Sequence, residues 1–209
     1  MPKVTQEQTK ARRDEIINAC ASLYETTSFK DLTLKDIGKA TSFTRTSIYN
    51  YFQTKEEIFL ALLEREYDLW NIDLTAILEE NENLSADEFA DKFARSLEKR
   101  ERLLKLMSMN HYDMESSSRI ENLTQFKCSY GTSLHLVRAC VQKFFPAMTV
   151  GEVQNFIYVF FPFMFGIYPY TFVTEKQRLA MKNAKADYVI MTIYEITFSC
   201  VKNLLCRDR

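Results

Sequence analysis

Glycine and proline are scarce in this chain of 209 residues, four of each. Strand-rich and loop-rich folds draw on both for their turns, so the scarcity favours long helices joined by short connections. No segment carries the strict apolar–polar alternation of a half-buried strand. The five cysteines, Cys20, Cys128, Cys140, Cys200 and Cys206, are odd in number, scattered and without a CxxC pair. That argues against a disulfide framework and for reduced, mostly buried thiols in a cytoplasmic protein. The two histidines, His111 and His135, lie far from ligand-like spacing, so neither a metal nor a cofactor is expected. Net charge is −1, which leaves no global basic field, and any nucleic-acid site has to be local. The opening MPKVTQEQTKARRDEII lacks an apolar h-region and a small-residue cleavage site, so no secretory signal is expected. Catalytic signatures are missing as well: there is no GxSxG elbow, glycine-rich phosphate loop or HExxH helix. The acidic pairs Glu56-Glu57 and Glu79-Glu80 fall at a helix start and a helix end, where solvation is the default. The chain is not expected to be an enzyme.

What is present is helical periodicity. Ile16, Ile17, Ala19, Cys20, Leu23 and Tyr24 share one side of a first helix over residues 6–25. Thr33 and Asp36 form an acidic capping box for a short helix to Ala40, and Thr44 can cap another to about Tyr51. Thr54 opens a long amphipathic helix to about Leu78. Further helices are expected from Ser85, over 101–110, over 119–145, from Thr149 and over 184–206, with HYDMESSS as a loop. The count is about nine helices in an all-α chain.

The two short helices near residues 34 and 45, joined by three residues, form a helix-turn-helix pattern. Ile37, Ala40, Phe43, Ile48 and Phe52 can face one small core. The second short helix is left with Thr44, Arg45, Thr46, Ser47, Tyr49 and Asn50 outward, a face with one positive charge, several hydroxyls and no acid. Such a face can enter a major groove, and it can equally be a solvated helix face. Residues 1–53 carry eight basic and six acidic residues, the remainder 19 and 22, so the front is the more basic part. Arg12, Arg13, Lys35 and Lys55 are candidates for phosphate contact.

The stretch LTLKDIGKATSFTRTSIYNYFQTKEEIFLALL, residues 32–63, resembles the DNA-binding module of tetracycline-repressor-type (TetR family) transcriptional regulators. The matching elements are Thr33 to Gly38, Ser47 to Phe52 and the following TKEEIFL. The turn departs from the family pattern, with Thr41-Ser42-Phe43 where Ala-Gly-Val is common, and Thr46 stands where many members have glycine. The resemblance implies a three-helix DNA-binding domain over residues 1–53 and a helical effector-binding and dimerisation domain over 54–209. It implies that Arg45 and Thr46 lie nearest base edges and that Ser47, Tyr49, Asn50 and Tyr51 lie against phosphates. Lys55 would hold a further phosphate, and Thr33, Lys35 and Thr44 complete the implied DNA-facing set. The implied function is a repressor, a homodimer paired through its last two long helices, released from a double-stranded DNA operator by a small hydrophobic or aromatic effector. An all-α ligand carrier or enzyme without DNA binding is the alternative.

Candidates for the effector pocket are Tyr67, Trp70, Met107, His111, Phe126, Tyr130, Phe161 and Phe165, an apolar set with few polar groups. Residues 156–173, FIYVFFPFMFGIYPYTFV, hold eighteen residues without a charge, nine of them aromatic. That length approaches a membrane span, but Pro162, Gly166 and Pro169 interrupt it and its flanks show no basic bias. It is expected instead as a core and pairing helix of a protein with no membrane partner, with Pro162 kinking or locally unwinding it.

Overall fold

The computed structural model describes residues 5–109, 111–187 and 189–206; the side chains of Arg45, His111, Tyr112 and Asp113 lie outside the described set. The described residues form eleven helices and no strand. These are α1 (Gln6–Thr26), α2 (Leu34–Lys39), α3 (Arg45–Ile48), α4 (Lys55–Glu79), α5 (Ala86–Glu98) and α6 (Glu101–Met107). Then follow α7 (His111–Ser116), α8 (Ile120–Phe144), α9 (Val150–Thr171), α10 (Glu175–Asn183) and α11 (Ile193–Leu205).

Two helices exceed the nine expected. The backbone of HYDMES is helical rather than a loop, anchored by the buried Met114 and ended where Ser118 Oγ donates to the Met114 carbonyl at 2.7 Å. The final segment is divided. Thr174 and Gln177 make a reciprocal capping box that starts α10, and Thr192 and Glu195 make another that starts α11 at Ile193 instead of 184. Between them Lys185 sits at φ 50°, a left-handed residue that ends α10. The boxes at Thr33, Ser85 and Thr149 form as the sequence indicates. Thr44 occupies the N-cap position of α3 without capping an amide, because its hydroxyl meets that of Ser47 at 3.1 Å.

The chain divides into two compact units, Met1–Arg65 with Asn110–Cys128, and Glu66–Met109 with Ser129–Arg209. Helices α4 and α8 therefore each contribute residues to both. In the first unit Ile16, Cys20, Leu32, Ile37, Ile48, Phe52, Ile58, Phe59 and Leu62 are buried. Phe59 receives Tyr24 and Phe29 edge-on at centroid distances of 5.1 and 4.8 Å. Ala40 and Phe43, expected in that core, are respectively exposed and half-buried.

In the second unit α11 packs mainly on α5 and also on α9, which α6 joins. Phe89, Phe93, Leu97, Leu103, Leu104, Phe160 and Met164 are buried there. Tyr194 Oη donates to Asp91 Oδ1 at 2.7 Å, and Lys202 pairs with Asp87 at 2.9 Å. Helix α9 is assigned as continuous through Pro162 and Pro169, so the expected local unwinding does not occur. It is the one described helix long and apolar enough to cross a membrane, with 39% of its most apolar window buried. Val153, Phe156, Ile157, Phe160, Phe161, Met164 and Ile167 are buried, whereas Tyr158, Val159, Phe165 and Tyr170 are exposed.

Candidate functional site

A four-residue helix cannot hold its own conformation in water, so α3 depends on its attachments. Its inner side is Ile48, fully buried, with Phe52 buried just beyond. After Ile48 the backbone tightens: Asn50 and Tyr51 donate to carbonyls three residues back, at 3.2 and 2.8 Å. The outer side presents Thr44, Thr46, Tyr49 and Asn50 to solvent, with Ser47 and Tyr51 half-buried. Thr33 and Lys35 are exposed at the start of α2. The helical backbone of Arg45 is described, but its side chain, like that of His111, lies outside the described residues.

The turn before α3 does without glycine. Among the described residues Lys185 is the only non-glycine with positive φ, so Ser42 carries no left-handed strain. Instead the Glu15 carboxylate of α1 accepts both donors of Ser42, the backbone amide on one oxygen and the hydroxyl on the other at 3.1 Å. These bonds, the amide's first, hold the Glu15 carboxyl below its usual range.

Lys55, expected to hold a phosphate, is half-buried and turned inward. Its ammonium donates to the carbonyls of Phe29, Leu32 and Lys30 at 2.8, 3.2 and 3.4 Å, and lies 4.5 Å from the Phe29 ring centroid. In this structure it closes the α1–α2 connection. Arg13 is committed in a similar way, its guanidinium 4.5 Å from the Phe52 ring centroid, and burial lowers its pKa.

Glu57 overturns the expectation of a solvated acidic pair. Its side chain is 1% exposed. Arg119 donates to it from Nε at 2.7 Å, Nη2 at 3.0 Å and the backbone amide at 3.1 Å. The Gln53 amide donates a further bond at 2.7 Å. Burial by itself raises the carboxyl; the bonds from Arg119 and Gln53 outweigh it and hold the group ionised below its ordinary value.

Five of the eight pocket candidates converge in the second unit. Tyr67 lies 5.6 Å from Tyr130 and 6.4 Å from Trp70, and Phe161 lies 6.0 Å from Trp70 and 5.7 Å from Tyr130, ring centre to ring centre. Tyr67 Oη donates to Met107 Sδ at 3.4 Å, and Trp70 Nε1 to Ser96 Oγ at 3.0 Å. Burial pushes the Tyr67 hydroxyl well above its usual pKa, so it stays a neutral donor. Beside the rings, Ser133 Oγ donates to Asn71 Oδ1 at 2.6 Å and Asn71 Nδ2 to the Ser129 carbonyl at 3.0 Å. Phe126 and His111 belong to the first unit, and Phe165 is 41% exposed. The polar members Ser96, Asn71 and Ser133 were not foreseen; each stands at helical spacing from a buried neighbour, a weak signal. Burial raises the thiols of Cys20 and Cys140 to about 12 and that of Cys200 to about 11, which keeps them protonated. Cys128 and Cys206 are exposed, against the expectation of mostly buried thiols.

A buried-cored helix-turn-helix at the front of an all-helical chain, with an aromatic core further along, defines a class: helical DNA-binding regulators with an appended helical domain. Comparison with known proteins gives the family. Residues 16–62 match the model of bacterial regulatory proteins of the tetR family, and residues 64–193 match the tetracyclin repressor-like C-terminal domain. The chain belongs to the TetR family of transcriptional regulators. A curated relative, the uncharacterized HTH-type transcriptional regulator YfiR of Bacillus subtilis, is 34% identical over 67 residues, 32% of this chain. That match spans about a third of the relative's length, 33%. Among solved structures, the fatty acid degradation regulator FadR from Bacillus halodurans has a TM-score of 0.61 at 15% identity, covering 95% of this chain and 97% of that one. FadR from Bacillus subtilis, solved in complex with stearoyl-CoA, has a TM-score of 0.60 at 14% identity, covering 92% and 97%. PfmR from Thermus thermophilus gives 0.60 at 15%, covering 94% and 97%. At such identities these structures speak to the fold.

Proposed function

We propose that this regulator is a homodimeric, cytoplasmic repressor without enzymatic activity, which leaves its operator when a small apolar effector binds. The observation that carries the DNA-binding part is the outer face of α3. Thr44, Thr46, Tyr49 and Asn50 are exposed, on a stretch with no Asp or Glu from residue 44 to 53, about a helix whose opposite side is sealed by Ile48. Arg45 and Thr46 read base edges, and Ser47, Tyr49, Asn50 and Tyr51 meet phosphates, with Thr33, Lys35 and Thr44 flanking them. Lys55 supports the module from inside. Residues 1–53 carry DNA binding and 54–209 effector binding and dimerisation, with residues 110–128 lending structural support to the former.

The uncovered apolar face of α9 supports a dimer through α9 and α11. Tyr158, Val159, Phe165 and Tyr170 line one side of a single helix, and a second copy of the chain covers such a face without a bilayer. The aromatic group of Tyr67, Trp70, Tyr130 and Phe161 supports an apolar effector, with Met107 beside it and Phe165 as a further candidate in the same unit. Long-chain acyl-CoA is the first probe to use, on the precedent of the stearoyl-CoA complex of the Bacillus subtilis relative.

The test combines two titrations. DNA flanking the coding region is bound in a fluorescence-polarisation assay and released by stearoyl-CoA. Trp70 is the single tryptophan of the chain, so its emission reports occupancy of the aromatic group directly. Failure to bind flanking or genomic duplexes would reject the repressor; unchanged Trp70 emission and unchanged DNA affinity would reject acyl-CoA as effector.

A further inference from the structure

The front unit is completed by residues far along the chain, and the connection is made at the end of α3. Arg119, immediately before α8, reaches Glu57 by three bonds and uses Nη2 a second time, donating to the Tyr51 carbonyl at 3.1 Å. Tyr51 is three residues beyond the last residue of α3. Two residues before Arg119, the Ser117 carbonyl accepts from the Thr54 hydroxyl at 3.1 Å, and that same hydroxyl accepts from the Glu57 amide at 3.2 Å. Residues 51–57 are thus gripped by 117–119 at Tyr51, Thr54 and Glu57, across 62 to 68 positions of sequence.

We infer that Arg119 is a positioning residue for DNA reading: it fixes the C-terminal end of α3 while Glu15 fixes the turn at its N-terminal end. The inference rests on α3 being the reading helix. The physical reason is the shortness of α3. Four residues form no self-sustaining helix, and the hydrophobic anchor Ile48 sets its depth but leaves rotation about that anchor open. Two carboxylates remove that freedom. Glu15 holds the amide and hydroxyl of Ser42, and Glu57 holds the Gln53 amide on the far side. Glu57, 1% exposed, needs a cation to remain charged, and Arg119 supplies it. A planar guanidinium satisfies both carboxylate oxygens and still reaches the Tyr51 carbonyl; an ammonium offers no such fork.

Arg119 has a 42% exposed side chain, so direct contact with phosphate is the competing explanation, and the two differ in their salt dependence. A phosphate contact that is lost flattens the slope of log K against log salt by about 0.9 and weakens all duplexes alike. A positioning residue that is lost spoils base reading, leaving the slope and the affinity for random duplex intact.

The experiment uses the full chain and a duplex selected by it from a random pool, beside an unselected duplex of equal length. Arg119→Ala is expected to lower affinity for the selected duplex at least tenfold, lower affinity for the unselected duplex less than threefold, and leave the salt slope unchanged. Arg119→Lys is expected to recover only part of the loss. Glu57→Gln is expected to reproduce it, and the double variant to be no worse than either alone. Circular dichroism of each variant shows whether helix content is kept; where Arg119→Ala does not fold, Arg119→Lys and Glu57→Gln decide. Equal loss on both duplexes with a flatter slope, or wild-type affinity in the variants, overturns the inference. An Arg45→Ala control in the same assay separates this from the reading of α3 itself: unchanged preference there, with Arg119→Ala behaving as expected, rejects Arg45 as base reader and keeps Arg119 as positioning residue.

Discussion

Replacing Lys55 by methionine separates a lysine that touches DNA from one that holds the module together. The substitution keeps most of the aliphatic stem and removes the ammonium. Three carbonyls lose their donor, those of Phe29, Leu32 and Lys30, and the Phe29 ring loses its cation at 4.5 Å. Hydrogen bonds to a charged group contribute about 1.5–3 kcal/mol where water cannot substitute, and a cation over an exposed ring about 0.5–1 kcal/mol. Because the side chain is half-buried, water reaches some of these carbonyls, and the bond at 3.4 Å is weak. The net expectation is about 2–3 kcal/mol of lost stability, or roughly 5–10 °C in melting temperature for a chain of this size. Thermal unfolding followed by circular dichroism gives the first number, and DNA affinity across a salt series gives the second. The slope of the salt series is expected to stay at its wild-type value. An unchanged melting temperature with a slope flatter by about 0.9 would put the ammonium on a phosphate and refute the reasoning.

Three further outcomes follow from other groups. The Glu15 carboxyl is depressed by the bonds from Ser42. Its folded value lies below its unfolded one, so its contribution is complete above about pH 4.5 and fades as pH drops through the folded value. Glu15→Gln is therefore expected to flatten the acid side of the stability profile, which urea melts between pH 5 and 3 would reveal; an acid limb identical to wild type would disprove the link. Ser133→Ala removes the 2.6 Å bond to Asn71 Oδ1 and is expected to cost about 1–3 kcal/mol in urea unfolding. Trp70→Ala empties a site packed by Tyr67, Phe93 and Phe161, with an expected loss of about 3–5 kcal/mol; a cost under about 1 kcal/mol would mean the site was never well filled.

The parts of the fold readable from sequence are those written in local spacing. Thr33–Asp36, Ser85–Glu88 and Thr149–Glu152 are capping boxes three residues wide, and each starts the helix it announces. Tyr67 and Trp70 stand three apart on one helix face, so a shared neighbourhood was legible, and Tyr130 and Phe161 join it. Thr174–Gln177 and Thr192–Glu195 carry the same local signal; the uncharged run before them and the apolar positions after them obscured it. What spacing cannot carry is the partner of a charge. Glu56-Glu57 at a helix start reads as solvated, and nothing near it in sequence points to Arg119. The inward turn of Lys55 has the same cause, since its acceptors are backbone carbonyls, which leave no trace in residue identity.

The discontinuity of the first unit has a consequence for how the protein is made. A chain released from the ribosome up to Arg65 already contains every residue of the helix-turn-helix, yet Glu57 then has no Arg119 and its carboxylate is buried unpaired or the site stays open. The missing segment ends at Cys128, so at synthesis rates of about 5–20 residues per second the nascent module waits roughly 3–13 s for its closing residues. During that interval it is a partly assembled unit, completed only after part of the C-terminal half has been translated. A message truncated between Arg65 and Arg119 would yield a chain that contains α3 without the bonds that Arg119 makes at Tyr51 and Glu57.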